Sequence, residues 1–528
     1  MFPSQLLPVL VTCLIQITNA HAIPRDSAIV LPKSLDDTTA VALPESYLSY
    51  SFEFGFFPDF AGNASSPNNF SINLLASLAE LQGSAPILRV GGNTQDKTFF
   101  YSNQSQAIIN TYDDEVSLDY PAKVEIGPAF FESYDNFPNS TAIHGFNFAV
   151  GGTCASCLEQ VLEHAITACK ALGDRALAWE YGNEPDMYGF IGERPESWNE
   201  ESIYPNWREG KEALTTAFKE NCPSPQPVQY LAPSFAIPFK FMDPIKAWQA
   251  GFNNDPDIYS FAQHNYVGVS TDPGLTLRSS LLNHTHTTSS LAKSADIMNA
   301  ISLPPQTPFM LTETNSLARQ GLPLVSDTFG AALWNLDFAL HAASIGVQRI
   351  HMHQGVNYRY GSWQPIETNR SVRATKPAFY GNMATADFVG RAAGELKVVE
   401  LDLAARNTTE REEEAVYAAY IDGVAKRLAV VNLRQWNATG TPEQRPVQKY
   451  DFMIEGGVKE ARVKRLIADG TDQYSGVTYG GFSYNLELDE GRAVRLENVT
   501  DIEVLEVGGD GRLTVEVPDA SAVIVTLG

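Results

Sequence analysis

Positive charge is what this chain has least of. Lys and Arg total 37 against 62 Asp and Glu, giving a formal net charge of -25 at pH 7. Nucleic acid and anionic membrane surfaces are held through clustered cations, so neither is an expected partner. Long apolar runs are equally scarce. After residue 22 nothing approaches the about 20 consecutive apolar residues that cross a bilayer, and a soluble protein is expected. There is no Gly/Ser linker, no low-complexity tract and no repeat of solenoid period, which sets aside tethered modules and stacked arrays. Cysteine is rare, with five in 528 residues.

What is present suits a large folded protein: 44% hydrophobic and 11% aromatic residues can fill two or three cores. Residues 1–22 hold an apolar run at 6–17 and end in Ala20-His21-Ala22, the small-x-small pattern of a cleaved secretory signal, although no Lys or Arg precedes the run. Export and an extracellular location are therefore expected. Asn63, Asn69, Asn103, Asn139, Asn283, Asn369, Asn407, Asn437 and Asn498 each open an Asn-x-Ser/Thr sequon and are glycosylation candidates. Removing Cys13 with the signal leaves Cys154, Cys157, Cys169 and Cys222, an even set with three possible pairings in an oxidising compartment. Cys154 and Cys157 form a CxxC, but no His or Cys cluster follows to complete a zinc site, so structural disulfides are expected.

Between residues 46 and 390 a short apolar strand ending in polar or Gly-rich residues, followed by a helix-like segment, recurs eight times. The strands are expected at 50–56, 86–93, 145–150, 179–186, 229–234, 258–266, 308–313 and 347–354, with helix-like segments at 205–221 and 327–345. Alternation of this kind predicts parallel strands with crossover helices, and eight of them predict a closed (β/α)8 TIM barrel of the α/β class. Residues 391–528 change grammar. Strand candidates at 396–403, 414–421, 427–433, 448–454, 461–467, 482–488, 493–496, 513–517 and 522–527 follow one another without helices, which predicts an antiparallel β-sandwich packed on the barrel. Residues 23–45 form a separate segment whose run 40–43 is a candidate sandwich strand.

Two strand ends carry chemistry. Trp179-Glu180-Tyr181-Gly182-Asn183-Glu184-Pro185-Asp186 stops at a proline with an amide beside a carboxyl, and Pro308-Phe309-Met310-Leu311-Thr312-Glu313-Thr314-Asn315-Ser316 delivers a second carboxylate in the same way. Asn, Asp, Gly and Pro also make ordinary turns. Two carboxyls from two strand ends of one barrel, however, form the acid and nucleophile pair of a glycosidase. Glu184 is the expected acid/base and Glu313 the expected nucleophile, with the acid pushed toward about 6. Other strand-end candidates are Glu53, Arg89, Asn93, His264, Tyr266 and Gln354. Glu180 lies on the same strand face as Glu184 but deeper, where a structural pairing with Arg89 is expected.

Taken with Leu88-Arg89-Val90-Gly91-Gly92-Asn93, Gln263-His264-Asn265-Tyr266 and Gly321-Leu322-Pro323-Leu324-Val325-Ser326-Asp327-Thr328-Phe329, these stretches resemble glycoside hydrolase family 79 of the retaining clan A, the family of heparanase and the β-glucuronidases. The resemblance implies Glu184 as acid/base, Glu313 as nucleophile, Asn183 at the sugar 2-hydroxyl, Tyr266 against the nucleophile, and Glu53, Asn93 and Gln354 around the bound ring. It further implies a sugar carboxylate held by the loop after Glu313. Where heparanase has Tyr-Gly-Gly this chain has Ala318-Arg319-Gln320, and Arg319 is expected to pair with a uronate.

The expected activity is a secreted retaining hydrolase that releases terminal β-linked glucuronic acid, or its 4-O-methyl form, by double displacement. No metal or organic cofactor is expected, and a monomer is the expected state. The rival readings are a retaining clan A enzyme on a neutral β-xyloside or β-glucoside, and a barrel that binds carbohydrate without turnover. His351 with His353, and His284 with His286, have metal-ligand spacing but are expected as packed or loop histidines. Tyr358, Arg359, Tyr360 and Trp363 are expected either as a sugar-stacking wall or as a core cluster between barrel and sandwich.

Overall fold

The computed structural model describes residues 28–32, 35, 40–222, 227–304, 306–390, 393–403, 412–439 and 444–528. The expected signal at 1–22, with Cys13, and the sequon at Asn407 lie outside the described residues.

Eight parallel strands close into a barrel: β1 (Leu48–Glu53), β2 (Leu88–Gly91), β3 (Ala142–Phe146), β4 (Ala176–Tyr181), β5 (Tyr230–Phe235), β6 (Ile258–Val269), β7 (Phe309–Ala318) and β8 (Arg349–Gln354), with β8 pairing back onto β1. The crossovers are α1 (Asn69–Gln82), α2 (Ala155–Leu172), α3 (Glu200–Asn221), α4 (Pro244–Gln249), α5 (His284–Ala300) and α6 (Phe329–Ser344), and α7 (Pro377–Val389) follows β8. In α2 the buried Val161, Ala165, Ala168 and Leu172 recur at helical spacing and make the stripe that faces the strands. Asn68 caps α1 and Asn199 caps α3, each through its side chain, which is why those helices begin there.

The eightfold alternation breaks once. Between β2 and β3 the crossover is a 3-10 segment, Pro128–Asn136, preceded by an inserted three-stranded sheet of Thr98–Phe100, Ile108–Thr111 and Lys123–Ile126. Residues 148–150, expected as the end of the third strand, belong to a helical turn, Phe148–Gly151, because the Asn147 side chain accepts the Val150 N–H and turns the chain.

Inside the barrel the residues are layered. Ile87, Ile143, Ala178, Leu231 and Ala262 form an apolar plug. Two residues further along their strands, on the same face, Arg89, Gly145, Glu180 and His264 form a charged layer. Gly145 is needed there: a Cβ at this position would lie 2.1 Å from the Gln95 amide oxygen that enters the same space.

The carboxyl-terminal part is a two-sheet sandwich. The larger sheet runs β9 (Leu396–Glu400), β10 (Glu414–Ile421), β11 (Val424–Asn432), β15 (Ser521–Leu527) and β13 (Glu460–Ile467), with short pairs beyond; the smaller holds β12 (Val447–Met453) and β14 (Arg512–Pro518). Strand β10 is apolar almost throughout because both of its faces are covered. Val416, Ala418 and Tyr420 enter the sandwich core, while Ala415, Tyr417 and Ala419 pack into the barrel core with Phe338 and Met383.

The amino-terminal segment does add a strand to the sandwich, but it is Ile29–Val30 on β12, parallel, rather than 40–43. Residues 40–43 are not a strand, and Leu43 touches the sandwich through its N–H on the Leu396 carbonyl. The stretch expected as a strand at 482–488 is a two-residue strand, Phe482–Ser483, followed by a helical turn, Leu486–Asp489. The cysteines pair as Cys154–Cys157 and Cys169–Cys222. The second bridge joins the ends of α2 and α3 across 53 positions, a loop whose closure stabilises the fold by about 4 kcal/mol.

Candidate active site

The two carboxylates selected from the sequence meet at the carboxyl end of the barrel. An oxygen of Glu184, an oxygen of Glu313 and a nitrogen of His264 all lie within 4.8 Å of one another. Neither acid is sealed: the Glu184 side chain keeps 17% of its exposure and that of Glu313 6%.

Glu184 gets there through an unusual backbone. Strand β4 ends at Tyr181, Gly182 takes a φ of 98°, and Glu184 itself sits in the left-handed region at φ 51°. A non-glycine residue held there costs about 1–3 kcal/mol, and such strain collects at functional sites. Three contacts hold it in place: the Glu184 N–H donates to the Ser234 carbonyl, the Asn183 N–H donates to the Asp96 carboxylate at 2.8 Å, and Pro185 starts a 3-10 turn.

Arg89 is the centre of the charged layer. Its Nε and Nη2 reach Glu180 Oε2 at 2.8 and 2.7 Å, Nη1 reaches Ser51 Oγ at 3.0 Å and Glu313 Oε2 at 2.7 Å, and Nη2 reaches Asn183 Oδ1 at 2.8 Å. The fully buried guanidinium thus keeps all three nitrogens engaged, as a buried charge must. Glu180 is completed by the Ser234 hydroxyl at 2.8 Å. The other Glu313 oxygen accepts the Tyr266 hydroxyl at 2.8 Å.

These surroundings push the two acids apart. Burial, and next the charge of Glu313, drives Glu184 well above the ordinary carboxylate range, to about 8. Burial alone would do the same to Glu313, but His353, His264 and Arg89 outweigh it and hold Glu313 far below that range. Arg89 carries the permanent charge in this set. His264 is driven down to about 4 by its own burial, so near neutrality it acts as a neutral hydrogen-bonding partner, with Nδ1 at 3.0 Å from Glu184 Oε1. One carboxyl is arranged to keep a proton and its neighbour to lose one.

The remaining selected residues divide into two groups. Glu53 is fully buried at the end of β1, where Oε1 accepts the Thr94 N–H and hydroxyl at 2.7 and 2.6 Å and Oε2 accepts the Tyr358 hydroxyl at 3.0 Å. Gly92, at φ 91°, runs against it so closely that a Cβ would stand 2.8 Å from Glu53 Oε1. Asn93 follows, half-buried. Arg319 and Gln320, at φ 61° and 64°, form a left-handed turn with Gly321 beyond the end of β7. The Arg319 side chain is exposed and pairs with no acid among the described residues, while Gln320 is buried beside it.

Gln354 and Trp363 stand apart. Gln354 is fully buried and its amide is closed on Ser362, at 2.8 Å through Oε1 and 3.2 Å through Nε2, so it backs the wall instead of lining the cleft. Trp363 is sealed among Tyr50, Phe52 and Phe60, with its indole N–H on Ser71, which settles it as core. Tyr358 and Tyr360 are buried as well and stand behind the site.

Sequence reasoning passed over Asp96 and gave His353 and Arg359 other roles. Asp96, which fastens Asn183, the Tyr188 hydroxyl at 2.6 Å and the Phe148 N–H at 2.9 Å, follows Asn93 by three residues inside an otherwise unremarkable loop. His353, expected as a packed histidine, lies between Ser51 at 2.8 Å and Glu53 at 3.4 Å and is 3.7 Å from Glu313. Arg359 binds the Arg319, Gln320 and Gly321 carbonyls and grips Asp119 of the inserted sheet's loop with two contacts of 2.9 Å. His351 is buried against the Leu311 carbonyl, and His286 bonds the Ser280 carbonyl. Neither makes the spaced pair considered from the sequence.

Glu184, His264 and Glu313 have spacing a metal ion could use, but the Arg89 guanidinium already occupies Glu313 Oε2 and would repel a dication at that oxygen.

Comparison with known proteins agrees with this arrangement. Residues 416–524 match the glycosyl hydrolase family 79 C-terminal beta domain. The chain is 42% identical over 518 residues to a beta-glucuronidase of Aspergillus niger, covering 95% of this chain and 94% of that one. It is 41% identical over 503 residues to a beta-glucuronidase of Neurospora crassa, covering 88% and 89%. The crystal structure of a 4-O-alpha-L-rhamnosyl-beta-D-glucuronidase from Fusarium oxysporum superposes with a TM-score of 0.76 at 22% identity over 95% of this chain and 100% of that one, a likeness of fold. Barrel, sandwich and paired carboxyls together define a glycoside hydrolase. Within that class, the chain belongs to glycosyl hydrolase family 79.

Proposed function

We propose that this protein is an exported retaining β-glucuronidase that releases terminal β-linked glucuronic acid, or its 4-O-methyl form, from glycans or glycosides. One observation carries the mechanism: Glu184 and Glu313 bring oxygens within 4.8 Å of each other while their environments favour opposite protonation states. That separation suits the about 5–5.5 Å of double displacement better than the about 6.5–9.5 Å that leaves room for an inverting water. Glu184 protonates the glycosidic oxygen as the bond breaks, and ionised Glu313 attacks the anomeric carbon. Glu184, now a base, then draws a proton from the water that releases the sugar. Tyr266 and Arg89 keep Glu313 oriented and charged, and Asn183, fixed by Arg89, offers its amide N–H to the 2-hydroxyl.

The sugar preference rests on the names of the relatives and on Arg319, an exposed guanidinium just past the nucleophile strand that pairs with no acid among the described residues and suits a uronate carboxylate. Export is supported by the signal-like residues 1–22, by two disulfides, and by sequons that are exposed at Asn63, Asn69, Asn103, Asn139, Asn369 and Asn498; Asn283 and Asn437 are half-buried.

The test is a panel of p-nitrophenyl β-glucuronide, β-xyloside and β-glucoside, with proton NMR of the first-formed sugar. Turnover of the glucuronide to the β-anomer, abolished in Glu313→Gln, is expected. Preference for a neutral glycoside, or first release of the α-anomer, would overturn the proposal.

A further inference from the structure

A second cluster of metal-ligating side chains lies on the seam between barrel and sandwich, away from the cleft. His284 opens α5, Asp337 and His341 are one turn apart on α6, and Glu400 ends β9. His284 Nε2 is 3.0 Å from Glu400 Oε1 and His341 Nδ1 is 2.7 Å from Glu400 Oε2. One donor atom from each of these three residues lies within 4.8 Å of the others. None of them touches Glu184 or Glu313.

The order around His284 is that of a metal ligand. Asp337 faces its Nδ1 with both oxygens, at 3.0 and 3.1 Å, and Asp337 is itself fixed by the Tyr417 hydroxyl of β10 at 2.7 Å. Asp337 on Nδ1 sets the ring angle, and because Glu400 faces Nε2 that nitrogen carries a proton which a cation must displace. The two imidazoles meet at 89° with centroids 5.8 Å apart, so they converge edge to face instead of stacking. Glu400 keeps about a third of its side-chain exposure, 34%, which provides an entry route and an open coordination position.

We infer that His284 Nε2, His341 Nδ1 and the Glu400 carboxylate form a binding site for a divalent cation of the zinc class, which joins α5 and α6 of the barrel to the first strand of the sandwich. Two imidazoles and a carboxylate are a common zinc set, with bonds of about 2.0–2.2 Å. Donor atoms of such a set stand roughly 3.3 Å apart, and the three donors here already lie within 4.8 Å of one another, with Glu400 free to turn one oxygen toward both rings. Once the His284 Nε2 proton has left, neutral imidazoles with the carboxylates of Glu400 and Asp337 sum to -2, which a dication balances. A calcium or magnesium ion is disfavoured, because both take mainly oxygen ligands. The ion's role here is to brace the two domains.

The test uses the full chain stripped with a chelator and returned to chelator-free buffer. Zinc sulfate is titrated calorimetrically, cobalt chloride is added for its visible spectrum, and thermal melting is followed with and without zinc, for the native chain, His341→Ala and Glu400→Gln. The expected result is one zinc per chain, a tetrahedral cobalt spectrum and a rise in Tm in the native protein. Both variants are expected to lose the Tm rise and to bind at least about 10-fold more weakly. Glycosidase activity measured without metal reports that the variants are folded. Should a variant fail to fold, the cobalt spectrum and stoichiometry of the native chain decide by themselves. Absence of saturable binding to the native chain, octahedral cobalt only, or unchanged binding in folded variants would overturn the inference.

Discussion

Tyr266 and Arg89 divide the Glu313 carboxylate between them: the phenol takes Oε1 at 2.8 Å and the guanidinium takes Oε2 at 2.7 Å. The nucleophile is therefore held from both sides by groups on β6 and β2, each rooted in the barrel wall. Orientation and charge are set together.

Tyr266→Phe removes one of these bonds without opening the core. A hydrogen bond to a charged group contributes about 1.5–3 kcal/mol, so kcat is expected to fall roughly 10- to 100-fold. Tm should change little. Steady-state kinetics at the pH optimum check the fall in kcat, and a variant with native kcat counts against Tyr266 as a group that orients Glu313.

Glu180→Gln tests the opposite kind of residue. Glu180 touches Arg89 and Ser234 and is fully buried. Breaking a buried pair from one side costs about 3–5 kcal/mol, so a marked loss in urea stability is expected. An unchanged denaturation midpoint together with lost turnover would instead make Glu180 a participant in the chemistry.

Arg319→Ala is expected to raise KM for the glucuronide about 10-fold or more by deleting a charge-assisted contact. Activity on a neutral glycoside, however slow, should be unaffected. Arg359→Lys should act in the same direction, because lysine cannot hold the Arg319 and Gly321 carbonyls and both Asp119 oxygens together. Equal loss on both substrate types would place these two arginines outside sugar recognition.

The fold is expected to be most stable on the acid side of neutrality. Asp186, buried with Oδ1 on the Ala236 N–H and Glu184 nearby, is pushed by burial to about 8 from 3.8. A carboxyl raised on folding contributes stability that is complete below its unfolded value and is lost as pH climbs through the folded one. That window runs from about 4 to 8 for Asp186, and Glu184 adds to it. Glu313 works oppositely, contributing above its unfolded value of 4.5 and losing that contribution as pH falls further. Tm measured across pH should peak near 5 and decline toward 8, and Asp186→Asn should flatten the decline by about 1–3 kcal/mol. A Tm that rises steadily to pH 8 would contradict the burial argument.

Local sequence carried much of this. Apolar runs that stop at polar residues located the eight barrel strands within a few positions, because a strand buried on both faces must be apolar until it reaches the rim. The same logic found Glu184, Glu313, Arg89 and Tyr266. It misplaced the amino-terminal strand, since Ile29–Val30 is too short to show a pattern and is recruited by the edge of β12. It also counted Gln354 with the cleft residues, because a strand-end position says nothing about which neighbour captures the amide.

From its order of residues alone, the chain determined where strands end, which side chains stand there and that two of them are acids, since periodicity and breakers act over a few positions. Only the closed barrel decided that those acids face each other, which one holds a proton, which cysteines join, and that His284, His341 and Glu400 meet. Distance and loss of water arise when segments far apart in the chain are brought together, and no short stretch encodes either.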